Sequence, residues 1–168
     1  MSLSMYQASV PVFVRMFGNL SAILDKAAAF AEARKIDPSV LVNARLAVDM
    51  LPLSKQVQLA SDAAKGAGAR LTVSDVPSFA DSETTFPELQ ARIAKTVEFL
   101  RGLDAGQFDG SESRDIVLKL KNGEMTFKGD AYLLNFVLPN FYFHLTTAYA
   151  ILRHNGLDLG KMDYLGAL

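Results

Sequence analysis

The sequence DAYLLNFVLPNFYFHLTTAYAILRHNG spans residues 130–156, and its segment Ala131–Leu152 carries no fully charged side chain. Asp130 is a typical N-cap and Gly156 a typical residue just beyond a helix end, so the whole stretch predicts one long helix. Pro139 removes a backbone donor in its middle and predicts a bend there. The Asn, Thr and His side chains of this stretch would be costly in lipid. We therefore expect the most buried helix of a soluble bundle and no membrane span.

Three further long helices are predicted upstream, over about residues 5–35, 50–69 and 85–101, from apolar residues that recur every three or four positions. Two of them begin with a capping-box pattern, in which side chains three residues apart cap each other's amides: Ser4 with Gln7, and Thr85 with Glu88. Pro11 falls inside the first helix and predicts a kink in its first turns. Residues 71–84 are rich in Ser, Asp, Thr and Pro, which predicts an extended crossing.

A β-hairpin is predicted between the third and last long helices, at about residues 115–128. Two alternating runs flank Asn122-Gly123, the preferred two-residue turn of a hairpin, and this turn would place Lys121 opposite Glu124. One hairpin alone is marginal, so it must pack on the helices. Together these elements predict an all-α four-helix bundle with long crossovers and one small hairpin, in a single domain over residues 1–168.

Composition excludes several classes of function. The 168 residues include 17 basic and 18 acidic side chains, a net charge of −1 that gives no field for nucleic acid or an anionic membrane. The chain has no Cys, which excludes disulfides, Cys-ligated metals and thiol nucleophiles. Residues 1–7 lack the basic start and apolar core of a signal peptide. We therefore expect a cytoplasmic protein.

The two histidines, His144 and His154, lie ten positions apart on one predicted helix. That is about 15 Å along the axis, so they cannot share one ion within a chain. His154 is predicted as a partly exposed cation near the negative end of the helix dipole. His144 follows three aromatic residues in a segment too apolar for the surface. A buried histidine must hydrogen-bond through its ring nitrogens or bind a metal.

Asp49 has two interpretations. It is the predicted N-cap of the second long helix, a role that stabilises a helix by about 1 kcal/mol. Its other predicted role is partner to His144, either as an orienting carboxylate or as a second metal ligand. The side chains predicted to position an anionic substrate beside them are Arg45, Tyr149 and Arg153.

Residues 45–56 (RLAVDMLPLSKQ), 144–156 (HLTTAYAILRHNG) and 160–164 (GKMDY) carry a family resemblance. They resemble an uncharacterised bacterial family, known as a domain of unknown function and grouped with the DinB/YfiT-like bundles, and the resemblance covers essentially the whole chain. It implies a four-helix bundle with long crossovers, often dimeric. Relatives in the wider superfamily bind a divalent metal, typically nickel or zinc, through three histidines, and some are thiol-dependent transferases or isomerases.

This chain departs from the three-histidine set that the resemblance implies. That set takes one His from the second helix and a His-x-x-x-His pair from the last. His144 matches the first member of the pair, whereas position 148 is Ala and the second helix has no His. Asp49 would then stand in for the missing ligand of the second helix. His144 and Asp49 alone make a weak site for nickel or zinc.

Two hypotheses follow. In the first, the protein is a DinB-like bundle with a degenerate metal or small-ligand pocket around Asp49 and His144, where His144 acts as base or metal ligand and Asp49 orients it. In the second, it is a non-catalytic dimeric bundle in which Asp49 and His144 form a buried polar pair. The sequence leaves open whether the protein is an enzyme. A homodimer with a small-molecule ligand, without nucleic acid or membrane, is expected.

Overall fold

The computed structural model describes residues 3–120 and 123–167. Its long helices are α1 (Val10–Arg34), α3 (Leu53–Thr72), α4 (Phe86–Arg101) and a last helix made of α5 (Gly129–Ala131), a π-helical segment (Tyr132–Val137) and α6 (Leu138–His154). The connections between them hold α2 (Pro38–Val42) and the hairpin of β1 (Asp115–Leu120) and β2 (Gly123–Lys128), and α7 (Lys161–Leu165) follows the last helix. The predicted helical bundle with one small hairpin is confirmed.

The first helix begins later than predicted. Ser4 and Gln7 form both bonds of the capping box, at 3.0 and 3.1 Å, but the segment that they cap is a run of turns over residues 5–9. The α-helix starts at Val10, which places Pro11 in its first turn. The predicted kink at Pro11 is therefore wrong, because a missing amide costs nothing at that position.

The second long helix also begins later, and Asp49 does not cap it. Pro52 is the residue before α3, in extended backbone with ψ 169°. Asp49 lies exposed in the preceding loop, in a turn closed by a 3.0 Å bond from the Met50 amide to the Ala47 carbonyl. The prediction of Asp49 as N-cap is wrong because Asp49 lies in this separate turn, and the helix begins only at Leu53, after Pro52.

The last helix contributes to the core, but the prediction that it is the most buried helix is wrong, because a larger share of α3 is buried and Leu134 and Phe143 of the last helix are more than half exposed. Phe141 of α6 makes edge-to-face contacts with Phe13 and Phe17 of α1, with ring centroids 4.9 and 5.3 Å apart. All three rings are fully buried. In the described part of the chain, no helix is both long and apolar enough to cross a membrane.

The π-helical segment ends at Val137, two residues before Pro139. A proline has no amide to donate to the preceding turn, and the backbone there winds more widely over residues 132–137. Within this segment the rings of Tyr132 and Phe136 stack, with centroids 6.0 Å apart. The segment therefore offers an aromatic surface on which the hairpin can pack.

The hairpin packs on that surface through Phe127, whose ring lies 5.6 Å from that of Phe136. Its register differs from the prediction, because Glu124 pairs with Lys119. Lys121 and Asn122 lie outside the described residues. The observed register pairs Ile116 with Phe127, so that a buried and a half-buried apolar side chain lie on the helix-facing side.

The crossing segment between α3 and α4, residues 73–85, is held by a buried arginine. The side chain of Arg92 is 1% exposed, and its guanidinium lies 2.8 Å from Asp62, 3.0 Å from Asp81 and 3.1 Å from Glu83. Because Asp81 and Glu83 belong to the crossing and Asp62 to α3, Arg92 ties the crossing to both helices.

Candidate functional site

The candidate site lies between α3 and α6 and centres on His144. The His144 ring is buried, 8% exposed, and its Nδ1 atom lies 2.8 Å from Oε1 of Gln56 on α3. Gln56 is 2% exposed and donates its amide Nε2–H to the carbonyl oxygen of Leu51 at 2.9 Å. A relay therefore runs from the loop before α3, through Gln56, to the histidine.

This relay fixes the tautomer of His144. The bond to the Leu51 carbonyl orients the Gln56 amide, because only its NH2 group can donate to that oxygen. The amide oxygen then faces the imidazole and must accept, so Nδ1 of His144 carries the proton. In the neutral ring, Nε2 is left with a lone pair.

The ring is held in its neutral form. Burial lowers the pKa of His144 below the ordinary histidine value near 6.5. Among the described residues, Nε2 has no hydrogen-bond partner, and the atom is not fully enclosed by protein. At neutral pH the site therefore presents an imidazole nitrogen that can accept a hydrogen bond or a proton.

Asp49 and Arg45 lie in the loop before α3, and both are exposed. Arg45 donates to the carbonyl of Met50 and so braces this loop. Asp49 is not the buried partner of His144, because Gln56 occupies that place. A carboxylate at the tip of an exposed turn is better hydrated than one beside a buried ring.

Tyr149 and Arg153 extend from the later turns of α6 to the segment that follows it. The Tyr149 hydroxyl donates to the Leu159 carbonyl at 3.3 Å, and Arg153 donates to the Leu157 carbonyl at 3.0 Å. These contacts hold the C-terminal segment against the bundle. The role of Arg45, Tyr149 and Arg153 in binding a substrate stays a prediction.

The donor set around His144 does not fit a resident nickel or zinc ion. Across residues 3–120 and 123–167, no three His, Cys, Asp or Glu side chains converge. Ala148 is fully buried one turn after His144, and the residue of α3 that faces the ring is Gln56, whose amide oxygen is already bound. One imidazole without a second strong ligand does not hold such an ion.

The sequence does not predict Gln56 as the partner of His144, because an amide is a less obvious candidate for a functional site than a carboxylate. A signal for it was present, since Gln56 shares the apolar stripe of α3 with Leu53, Val57 and Ala60, at positions i, i+3, i+4 and i+7. A polar side chain within such a stripe is buried and needs a partner. His144, on the other buried helix, is that partner.

This fold, with its polar contact between the second and last long helices, defines the class of protein. A crystal structure of a DinB family member protein from Shewanella denitrificans has 45% sequence identity to this chain. The match covers 98% of this chain and 93% of the Shewanella chain, with a TM-score of 0.93. The fold is therefore that of a DinB-like helical bundle. The chain belongs to the family described as Domain of unknown function (DUF1993), whose model matches residues 5–165. No curated protein matches it.

Proposed function

We propose that this protein binds a small protic ligand at Nε2 of His144, without a resident metal ion. The observation that carries the proposal is the relay from the Leu51 carbonyl through Gln56 to Nδ1 of His144. A histidine with a fixed tautomer and a lowered pKa is prepared to accept a hydrogen bond, or a proton, from a hydroxyl or amide group.

The surroundings of the ring support a ligand with an apolar part. The Phe143 ring packs edge-to-face on the imidazole with centroids 5.3 Å apart, and Phe143 is 54% exposed. Leu51, whose carbonyl ends the relay, is 46% exposed. A ligand bound to the imidazole would thus contact the exposed Phe143 ring, which its apolar part would cover.

Ethoxycarbonylation with diethyl pyrocarbonate tests the proposal, because this reagent attacks unprotonated imidazole nitrogens. At pH 7 we expect peptide mapping to find His144 modified more slowly than His154, which is exposed and serves as the internal reference. Complete absence of modification at His144, while His154 reacts, would contradict the proposal, since it would mean that Nε2 is closed to ligands.

The fixed tautomer has its own test. Long-range 1H–15N correlation spectra of the wild type should show a proton on Nδ1 of His144. Gln56→Met should give a mixture of tautomers, because nothing then orients the ring. Asp49→Ala is the matched control, and its spectrum should equal that of the wild type. A wild-type ring protonated on Nε2 would refute the relay.

A structural role is the second candidate, and the burial of both side chains favours it. In this case the Gln56–His144 bond fixes how α3 and α6 align, and His144 does not react with diethyl pyrocarbonate. Val48 and Leu51, in the loop before α3, and Phe143, on α6, are exposed apolar side chains, and they support the expected homodimer. Light scattering on the purified protein tests that expectation.

A further inference from the structure

A cleft of about 200 Å³ lies between α3, β1 and the last helix. Its walls carry the polar groups of Arg70, Lys119, Tyr132 and Asn140 together with the ring of Phe136. Apart from one carboxylate, the polar groups on these walls are hydrogen-bond donors or can act as donors.

The side chains of Arg70 and Tyr132 are held in place by one hydrogen bond, and both keep donor groups that are free to bind a ligand. Arg70 donates one bond, 3.1 Å long, to the hydroxyl oxygen of Tyr132. Because that oxygen accepts, the hydroxyl proton of Tyr132 remains free, and no acceptor for it occurs among the described residues. Tyr132 is 1% exposed, and burial raises its pKa, which keeps the phenol protonated and able to donate.

The cleft has an excess of positive charge. Asp62 is the carboxylate on its wall, but it is bound to Lys65 at 3.0 Å and to Arg92 at 2.8 Å. Arg70 and Lys119 form no ion pair within the described part of the chain. Their two charges are therefore available to a ligand.

The position of the Arg70 guanidinium depends on Gly66, one turn earlier in α3. A Cβ on residue 66 would overlap Nη1 of Arg70. Glycine in the middle of a helix lowers helix stability relative to alanine. Here it leaves the space in which the guanidinium lies against the helix backbone beside Tyr132.

We propose that this cleft binds a small anion with an apolar body, such as an aromatic carboxylate or a phosphate monoester. The anionic group binds Arg70, Lys119 and the Tyr132 hydroxyl, because charge-assisted bonds to a carboxylate or phosphate are the strongest that these groups can make. The apolar body covers Phe136. The site is separate from His144, which lies one turn after Asn140, and it stands independently of the function proposed above.

Isothermal titration calorimetry with benzoate and phenyl phosphate tests the site, with benzylamine and benzyl alcohol as the cationic and neutral counterparts. At least one of the two anions should bind saturably, and the two counterparts should not. Arg70→Gln and Lys119→Gln should each weaken binding about tenfold, the loss expected for one charge-assisted bond. Lys119 is exposed on β1, so its replacement does not endanger the fold.

Two further variants separate position from charge. Gly66→Ala keeps every charge but displaces the guanidinium, and should weaken binding as well. Arg101→Gln removes an exposed cation from α4, outside the cleft, and should leave binding unchanged. Absence of binding by both anions, equal binding of benzyl alcohol, or full affinity in both Arg70→Gln and Lys119→Gln would overturn the proposal.

Discussion

Replacing Gln56 with Met removes the centre of the relay and keeps the length of the side chain. Two hydrogen bonds disappear, one to His144 Nδ1 at 2.8 Å and one to the Leu51 carbonyl at 2.9 Å. The consequences differ at the two ends. Leu51 lies in the loop before α3 and is 46% exposed, so we expect water to reach its carbonyl, whereas the His144 N–H is left in a site that is 8% exposed.

The expected loss of stability comes mainly from the His144 N–H, which is the buried end of the relay. An unsatisfied buried donor costs about 1–3 kcal/mol, and the hydrated carbonyl adds little. We therefore expect Gln56→Met to lower the free energy of unfolding by about 2 kcal/mol. For a domain of this size that corresponds to a fall of about 5 °C in Tm, which chemical and thermal denaturation can both measure.

A double-mutant cycle decides whether the loss belongs to the Gln56–His144 bond. In a His144→Leu background, Gln56→Met should cost much less, because the donor is already gone. Asp49→Ala is the control and should change stability by less than about 0.5 kcal/mol, as expected for an exposed side chain. Equal costs of Gln56→Met in both backgrounds, or a large cost of Asp49→Ala, would refute the reasoning.

Three further predictions concern stability. Folding lowers the pKa of His144, so the unfolded chain takes up a proton at a higher pH than the folded chain does. The free energy of unfolding should therefore fall as the pH drops below about 6.5, by at most about 1.4 kcal/mol per pH unit. Denaturant melts at pH 7.5 and 5.5 measure this fall, which should be smaller in His144→Gln. Arg92→Met should cost about 3 kcal/mol by urea denaturation, because it leaves Glu83, 12% exposed, without its cation; a cost below 1 kcal/mol would contradict the structure. Val73→Gly should raise stability by about 1 kcal/mol, because Val73 has φ 57°, whereas Val76→Gly, at a residue without positive φ, should bring no gain.

The parts of the fold that could be predicted depend on neighbours in sequence. The capping box of Thr85 and Glu88 forms at the start of α4 because both partners lie within one turn. The position of the hairpin follows in the same way from alternating residues, whereas its register does not. Pairing Ile116 with Phe127 depends on the π-helical segment against which Phe127 packs.

The partner of His144 could not be predicted, because it depends on how the loop before α3 folds. That loop is held by a 3.0 Å bond from the Leu53 amide to the Ala44 carbonyl, nine residues apart. No periodic pattern predicts such a bond. It leaves Asp49 in solvent and begins α3 so that Gln56 faces His144.

The metal content of the purified, untagged protein tests the central claim most directly. The protein is offered nickel, zinc and manganese, is freed of loosely bound ions by gel filtration, and is measured by elemental analysis. Because Gln56 occupies Nδ1 of His144 and Ala148 supplies no ligand, we expect much less than one ion per chain. Retention of about one ion per chain that is lost in His144→Ala would contradict the metal-independent site.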